Sequence, residues 1–265
     1  MQRTVRASLD LTLDAPATLV LAVAVSRVGG TRLDERLVIE HEGQALEPHE
    51  LTDAVGTRLH QVLADAGRVT VRYEAVVEGQ AAPAPFDPLD LITYLRPSRY
   101  CESDALLPTA AREFAGLTGK DLLDGVSSWV GERLDYVAGA SAPTDGALVT
   151  LDARKGVCRD FAHLVVGLLR ALDVPARLVA VYAPGLAPMD FHAVVEAWVG
   201  DGWQVVDATT LAPRQTLVRI ATGRDAADTA FLTSHGGTVT LDAMEVQAVV
   251  DELPADDVRE LVQLR

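Results

Sequence analysis

Cysteine is scarce in this chain. Among its 265 residues there are only two, Cys101 and Cys158, and they lie far apart in the sequence. Two cysteines can form one disulfide at most, which cannot stabilise a domain of this size, so a small disulfide-rich scaffold is excluded. Because reduced thiols are typical of the cytoplasm, we predict that both cysteines are free and that the protein is cytoplasmic.

Positive charge is also in short supply. The chain has 23 Lys and Arg residues against 38 Asp and Glu residues, which gives a formal net charge of −15. Binding to a nucleic-acid backbone or to an anionic membrane face requires a basic surface. We therefore predict neither a nucleic-acid partner nor a membrane partner.

No apolar run in the sequence is long. The longest one near the start covers residues 15–25, whereas a membrane-spanning helix takes about 20 apolar residues. Arg3 and Arg6 precede this run, as they would in a signal peptide, but Asp10 and Asp14 lie between. The residues before the run alternate like a strand, so we expect no secretory signal.

The composition favours a folded protein. Hydrophobic residues make up 49% of the chain, which is enough for one or two domains with large cores. Residues 1–80 carry strand patterns at about ten-residue spacing, the clearest at 68–77, and this predicts an N-terminal antiparallel β-sandwich. Residues 79–88 (GQAAPAPFDP) contain three Pro and one Gly, so we place a linker at residues 81–90.

Helix and strand patterns alternate in the second part. We assign residues 91–250 to one domain and residues 251–265 to a C-terminal tail. The strongest helix pattern begins at Cys158 and forms one apolar stripe as far as Leu172. Three strand patterns follow in quick succession, at 176–182, 191–199 and 203–208. The expected fold is α+β, with the cysteine-bearing helix packed on an antiparallel sheet.

Cys158 is the candidate nucleophile. The thiolate is the reactive form of cysteine, and a helix N-terminus favours an anion there. Gly156 precedes it and would let the backbone turn sharply into the helix. The backbone N–H at this turn could also hold an oxyanion. Cys101 lies outside any clear helix start, so we interpret it as a small, partly buried residue without an assigned role.

A cysteine nucleophile usually needs a histidine base, and His192 fits best. His163 is closer in sequence, but five residues along a helix correspond to a rotation of about 140°, which turns it away from Cys158. His192 instead opens the strand pattern FHAVVEAWV. It would take the thiol proton and return it to the leaving group.

The histidine in turn needs an acceptor that orients it, and Asp207 ends the next strand pattern. If Gly200-Asp201 is a two-residue turn, Asp207 pairs with Val194 and lies diagonal to His192 on the same face. A three-residue loop would turn Asp207 to the opposite face. Both registers are compatible with the sequence.

Three segments together resemble the transglutaminase-like superfamily: GVCRDFAHLVVGLLRALDVPARLV (156–179), FHAVVEAWV (191–199) and GWQVVDAT (202–209). The first contains a Gly-x-Cys-x-Asp-Phe-Ala motif. The chain is most similar to the bacterial branch that carries an N-terminal β-domain and is described as transglutaminase-like cysteine proteases. The resemblance implies a papain-like core and a Cys–His–Asp triad, which falls on Cys158, His192 and Asp207.

The sequence departs from the family pattern at the third segment. The common ending is Asp-Pro-Thr, whereas this chain has Asp207-Ala208-Thr209. The acid is retained, but the loop after it lacks the rigidity of proline. The resemblance also implies an upstream side chain that joins the Cys158 amide in holding the oxyanion. Tyr136 is our candidate, ahead of Trp129, which fits the apolar stripe of its own helix.

We expect no metal and no organic cofactor. The six histidines are scattered, and no pair of them has zinc-ligand spacing with a matching third ligand. The function favoured by the sequence is hydrolysis of a peptide or protein amide through a cysteine thioester. Two alternatives stay open, namely transfer to an amine, as in a protein-glutamine transglutaminase, and a non-catalytic interaction module with a vestigial triad. A homodimer formed through the β-domain is also compatible with the sequence.

Overall fold

The computed structural model describes residues 1–265, which form fifteen strands and six α-helices. The strands are β1 (Gln2–Leu13), β2 (Ala17–Leu21), β3 (Thr31–His41), β4 (Gln44–Leu46), β5 (His49–Thr52), β6 (Arg58–Ala64), β7 (Gly67–Gly79), β8 (Asp135–Tyr136), β9 (Lys155–Gly156), β10 (Ala176–Tyr182), β11 (Phe191–Val199), β12 (Gly202–Val206), β13 (Val218–Gly223), β14 (Leu232–Gly236) and β15 (Val239–Val250). The helices are α1 (Pro88–Thr93), α2 (Ser103–Glu113), α3 (Gly119–Arg133), α4 (Ala147–Ala153), α5 (Cys158–Ala171) and α6 (Ala226–Thr229). None of them is long and apolar enough to cross a bilayer.

Two antiparallel sheets form a β-sandwich. One has the strand order β15-β1-β7-β3-β4 and the other β14-β2-β6-β5. Alternate residues of β1, from Val5 to Leu13, are buried. They pack with the inward-facing residues of β2 and β7 in one apolar core. The period-two pattern of the sequence therefore has a direct physical cause, since one face of each strand is buried and the other is exposed.

Two strands of this sandwich come from the far end of the chain. Strand β15 pairs along the whole of β1, from Arg3 opposite Val250 to Leu13 opposite Val239, and β14 pairs with β2. The prediction that residues 91–250 form one domain is therefore wrong for residues 232–250. A strand pattern shows that a segment is extended, but it does not identify a partner more than 200 residues away.

The second core lies between α5 and a four-stranded antiparallel sheet of order β12-β11-β10-β13. Helix α5 is buried almost all round, because α2, α3 and α4 pack on it from the sides that the sheet leaves open. Ala193, Val195 and Ala197 of β11 pack toward the helix. The predicted arrangement, a cysteine-bearing helix on an antiparallel sheet behind an N-terminal β-domain, is confirmed.

The C-terminal tail at residues 251–265 is neither helix nor strand, yet it is firmly attached. The backbone N–H of Val205 in β12 donates to the Val262 carbonyl over 2.7 Å. Leu264 is buried in the apolar cluster beneath the sheet. The tail thus covers the free edge of β12, which would otherwise expose unpaired backbone groups.

A buried ion network lies on the face of the sheet opposite α5. The Glu196 carboxylate accepts hydrogen bonds from Arg177 Nε over 2.8 Å and from Arg219 Nη2 over 2.7 Å. Burial raises the pKa of Glu196, but the two guanidinium groups outweigh burial and hold that pKa below its ordinary value. Removing one member of a buried network leaves the other charges without compensation.

We therefore expect Glu196→Gln to destabilise the protein by about 3–5 kcal/mol, because two buried arginines lose their shared carboxylate. The free energy of unfolding in urea measures the effect. Glu47→Gln is the matched control, because Glu47 is exposed and makes no ion pair, and it should change stability by less than about 0.5 kcal/mol. Equal stability of the two variants would contradict a structural role for the network.

Candidate active site

Cys158 is the first residue of α5. The amide of Val157 donates to the Asp160 carboxylate over 2.8 Å, so Asp160, which is fully buried, caps the helix from its third position. A Cβ on Gly156 would lie 2.7 Å from Asp160 Oδ2. Gly156 is therefore required for the close approach of the capping carboxylate. The sharp turn expected at this glycine is not the reason, because its φ is not positive.

The loop at residues 137–146 is tied to the same helix start. Ser141 Oγ donates to Asp160 Oδ2 over 2.5 Å, and Arg159 Nη2 donates to Ser141 Oγ and to the Ala142 carbonyl. These contacts hold the loop beside the thiol. No sequence pattern predicts these contacts. An acidic residue three positions after the helix N-cap can be recognised in a sequence as a capping residue, as Asp160 is here. No local pattern links Asp160 to Ser141.

The two cysteines lie in different surroundings. Both are free. The side chain of Cys158 is partly exposed, and its Sγ lies 3.9 Å from the carbonyl oxygen of Phe191, the first residue of β11. Cys101 is completely buried, and burial raises the pKa of its thiol well above the usual range. Only Cys158 is accessible to a substrate.

His192 and Asp207 are brought together by the β11–β12 hairpin. Val199 pairs with Gly202, so Gly200-Asp201 forms the two-residue turn, and Asp207 follows the last residue of β12 on the His192 face. His192 Nε2 lies 2.8 Å from Asp207 Oδ2. Both residues are buried, with 2% and 7% of their surface exposed. The sequence is compatible with a two-residue turn and with a three-residue loop, and the structure has the two-residue turn.

The other oxygen of Asp207 is also satisfied. Oδ1 accepts hydrogen bonds from the Thr209 amide over 2.9 Å and from the Thr209 hydroxyl over 2.7 Å. Burial raises the pKa of Asp207. The imidazole of His192 and the Thr209 donors lower this pKa by more than burial raises it, so the net shift is downward. His192 and Thr209 together keep the carboxylate in its ionised form.

Asp207 increases the affinity of the His192 imidazole for a proton. Burial lowers its pKa, but the charge and hydrogen bond of Asp207, with a contribution from Cys158, raise it to about 10. Asp207 occupies Nε2, and Nδ1 has no other hydrogen-bond partner. Nδ1 is therefore the ring nitrogen available to the Cys158 thiol. His163 is excluded as the base because its Nε2 accepts from the Ala226 amide over 3.1 Å and burial lowers its pKa to about 4.

Tyr136 lies beside the thiol. The short strand β8 pairs in parallel with β9, which sets Tyr136 opposite Gly156. Burial raises the pKa of Tyr136 to about 12, and the neighbouring Cys158 adds to this shift. Trp129 is placed elsewhere: its Nε1 donates to Glu113 over 3.1 Å, and Phe114 packs edge-on against its ring. Of the two oxyanion candidates, only Tyr136 adjoins Cys158.

The structure brings together no group of three or more His, Cys, Asp or Glu side chains that could hold a metal ion. The site instead consists of a partly exposed thiol at a helix N-terminus and a histidine fixed by a buried carboxylate. Fold and site together define a class of proteins in which a cysteine-bearing helix packs on an antiparallel sheet that carries a histidine and an acid.

Comparison with known proteins identifies the family. Residues 110–208, which contain Cys158, His192 and Asp207, match the transglutaminase-like superfamily. A solved structure from Cytophaga hutchinsonii, described as a candidate cysteine protease, is 31% identical, has a TM-score of 0.89, and the match covers 100% of this chain and 96% of that one. An uncharacterized protein of Mycobacterium leprae is 30% identical over 115 residues, which make up 39% of this chain and 40% of that protein. The chain belongs to the transglutaminase-like superfamily.

The contact of His192 with Asp207 predicts that the His192 pKa changes when Asp207 is replaced. In Asp207→Asn the charge that raises the His192 pKa is removed, so burial dominates and the pKa falls from about 10 to the ordinary value of about 6.5 or lower. The raised pKa contributes stability that is complete below about pH 6.5 and is lost as the pH rises through about 10. Asp207→Asn should lose this contribution to the free energy of unfolding.

Nuclear magnetic resonance of histidine-labelled protein measures the pKa, and urea unfolding between pH 6 and pH 10 measures the stability. Asp242→Asn is the control, because Asp242 is exposed on β15. A His192 pKa that is the same in wild type and in Asp207→Asn would contradict the pairing.

Proposed function

We propose that the protein cleaves amide bonds by acyl transfer to Cys158, with water as the final acceptor. The observation that carries the proposal is the 2.8 Å contact between His192 Nε2 and Asp207 Oδ2, which leaves Nδ1 free beside a partly exposed thiol. A nucleophile, a base and a group that orients the base are the parts that covalent catalysis requires.

The first half of the reaction forms a thioester. His192 Nδ1 takes the Cys158 proton, and the thiolate attacks the amide carbonyl carbon. The carbonyl oxygen becomes an oxyanion, which accepts hydrogen bonds from the Cys158 amide and the Tyr136 hydroxyl. The imidazolium then gives its proton to the leaving amine as the carbon–nitrogen bond breaks. Asp207 remains ionised throughout and stabilises the imidazolium.

The second half regenerates the thiol. Water attacks the thioester while His192 Nδ1 takes one of its protons. The carbon–sulfur bond then breaks to release a carboxylic acid, and the imidazolium returns the proton to the Cys158 sulfur. Hydrolysis is favoured because the Cys158 side chain is already open to solvent. With a primary amine in place of water the same steps form a new amide. Product analysis of a peptide amide incubated with and without glycine methyl ester distinguishes the two outcomes.

The two cysteines provide a matched pair of variants. Cys158→Ala should abolish turnover while changing the free energy of unfolding by less than about 0.5 kcal/mol, because the side chain is partly exposed. Cys101→Ala should keep turnover and cost about 1 kcal/mol, because that side chain is buried. Initial rates and urea unfolding measure both effects. Retained turnover in Cys158→Ala would contradict the proposed nucleophile, and a large loss of stability would indicate a structural thiol.

Tyr136→Phe tests the oxyanion site. Removing the hydroxyl deletes one donor to a charge that exists only in the transition state, so kcat should fall by about 10²–10³ while KM changes little. Steady-state kinetics with a peptide amide measures the change. The control is Tyr100→Phe, because Tyr100 stacks on His163, away from the thiol. A rise in KM at constant kcat would instead assign Tyr136 to ground-state binding.

A further inference from the structure

The outer face of the four-stranded sandwich sheet has no acidic residue, lysine or arginine. In the order β14-β2-β6-β5, strand pairing fixes which side chains point away from the sandwich core. They are Thr233 and His235 of β14, Thr18 and Val20 of β2, Leu59, Gln61 and Leu63 of β6, and His49 and Leu51 of β5. These residues form the uncharged face.

The other outer face of the same sandwich is dominated by charge. Its outward charged side chains are Arg6 and Asp10 of β1, Arg32, Asp34, Arg36 and Glu40 of β3, Arg68, Arg72, Glu74 and Glu78 of β7, and Glu245 of β15. Some of them pair across strands, as Arg72 Nη2 does with Asp10 over 2.7 Å. Both sheets are antiparallel and bury their inner faces in one core. The lack of charge is therefore a property of one face and not of the sandwich as a whole.

The uncharged face is open to solvent and partly apolar. Leu63 exposes 72% of its surface and Leu51 exposes 47%, and Leu59, which pairs with Leu51, is half-buried. Glu47 and Asp65 lie just beyond the strand ends and are exposed. An exposed apolar patch with a polar rim is typical of an interaction site, and depletion of charge at the centre is the compositional mark of an interface.

We propose that the uncharged face is the contact between two copies of this chain, which stack sheet against sheet. Each copy has a net charge of −15, so two copies repel each other wherever their acidic surfaces meet. Two uncharged faces can meet without placing like charges opposite each other. A basic partner would find no carboxylate on this face, so charge favours a second copy over such a partner.

The strand register gives the symmetry of the contact. Leu59, Gln61 and Leu63 follow each other at intervals of two along β6 and therefore share the outer face. A two-fold axis that lies in the interface, perpendicular to β6 and level with Gln61, reverses the strand direction. It places Leu63 of each copy opposite Leu59 of the other, and Gln61 opposite Gln61. A side-chain amide has both donors and an acceptor, so two facing glutamines are complementary.

The size of the uncharged face determines how strong the contact is. Four strands about 4.8 Å apart, with five residues of about 3.3 Å each, cover roughly 300 Å² in projection. This is small beside the about 800 Å² of accessible surface that each partner buries in a stable complex. We therefore expect a reversible dimer with a micromolar dissociation constant.

Substitutions at position 61 test the contact, because this residue faces its own copy on the axis. Gln61→Glu places two carboxylates opposite each other, and Gln61→Lys places two ammonium groups there. Each variant alone should raise the dissociation constant at least about tenfold, because juxtaposed like charges are costly. An equimolar mixture of the two should dimerise again, because opposite charges then face each other.

Sedimentation velocity of the full-length chain, from micromolar to millimolar concentration, measures the dissociation constants. The matched controls are Gln247→Glu and Gln247→Lys, because Gln247 is exposed on β15 at the charged outer face, and they should dimerise as the wild type does. Recovery in the mixture also shows that both Gln61 variants are folded. If the mixture stays monomeric, Leu63→Asp and far-ultraviolet circular dichroism separate a misfolded variant from an incorrect register.

A wild-type chain that stays monomeric at millimolar concentration would overturn the inference. Dimers that persist in Gln61→Glu, Gln61→Lys and Leu63→Asp would also overturn it, because the contact would then lie on another surface. A folded pair of Gln61 variants that does not dimerise in the mixture would overturn the axis at Gln61.

Ionic strength provides an independent test of the same contact. Added sodium chloride screens the repulsion between two copies that each carry −15, so the dissociation constant of the dimer should fall as salt rises. A contact that depended on opposite charges would weaken under the same conditions. A dissociation constant that rises with salt would therefore overturn the assignment to the uncharged face.

Discussion

The register of one hairpin determines whether His192 and Asp207 meet. Gly200-Asp201 joins β11 to β12 as a two-residue turn, with Val199 opposite Gly202. A slip of one residue would turn Asp207 to the other face of the sheet. His192 would then lose the carboxylate that raises its pKa, and no acceptor would orient its ring. Burial of both partners gives the contact its strength, because their interaction is poorly screened by solvent.

The β-sandwich and the tail support this hairpin from outside. Tyr182 of β10 donates to the Val23 carbonyl over 2.6 Å and stacks on Tyr73 of the sandwich, so the sheet that carries His192 and the sandwich share one apolar core. Strand β15 contacts the loop before His192, where the Ala248 amide lies 3.4 Å from Met189 Sδ. The last part of the chain therefore completes the first sheet and contacts the loop before His192.

Local patterns predicted the parts of the site that depend on neighbours in sequence. The apolar stripe that starts at Cys158 gave α5, the glycine at position 200 marked the hairpin, and the rotation per residue excluded His163. A distant pairing has no such signal. The partners of β14 and β15, the contact of Ser141 with Asp160, and the route of the tail past Arg214 all depend on the assembled core.

The proposed reaction requires that an acyl group be bound covalently to Cys158. The most direct test is mass spectrometry of the protein mixed at neutral pH with the 4-nitrophenyl ester of an acylated amino acid and quenched rapidly in acid. We expect one acyl group on Cys158, none on Cys101, and acylation at least about a hundredfold slower in His192→Ala. An unmodified Cys158, or equal acylation rates in the wild type and in His192→Ala, would contradict it.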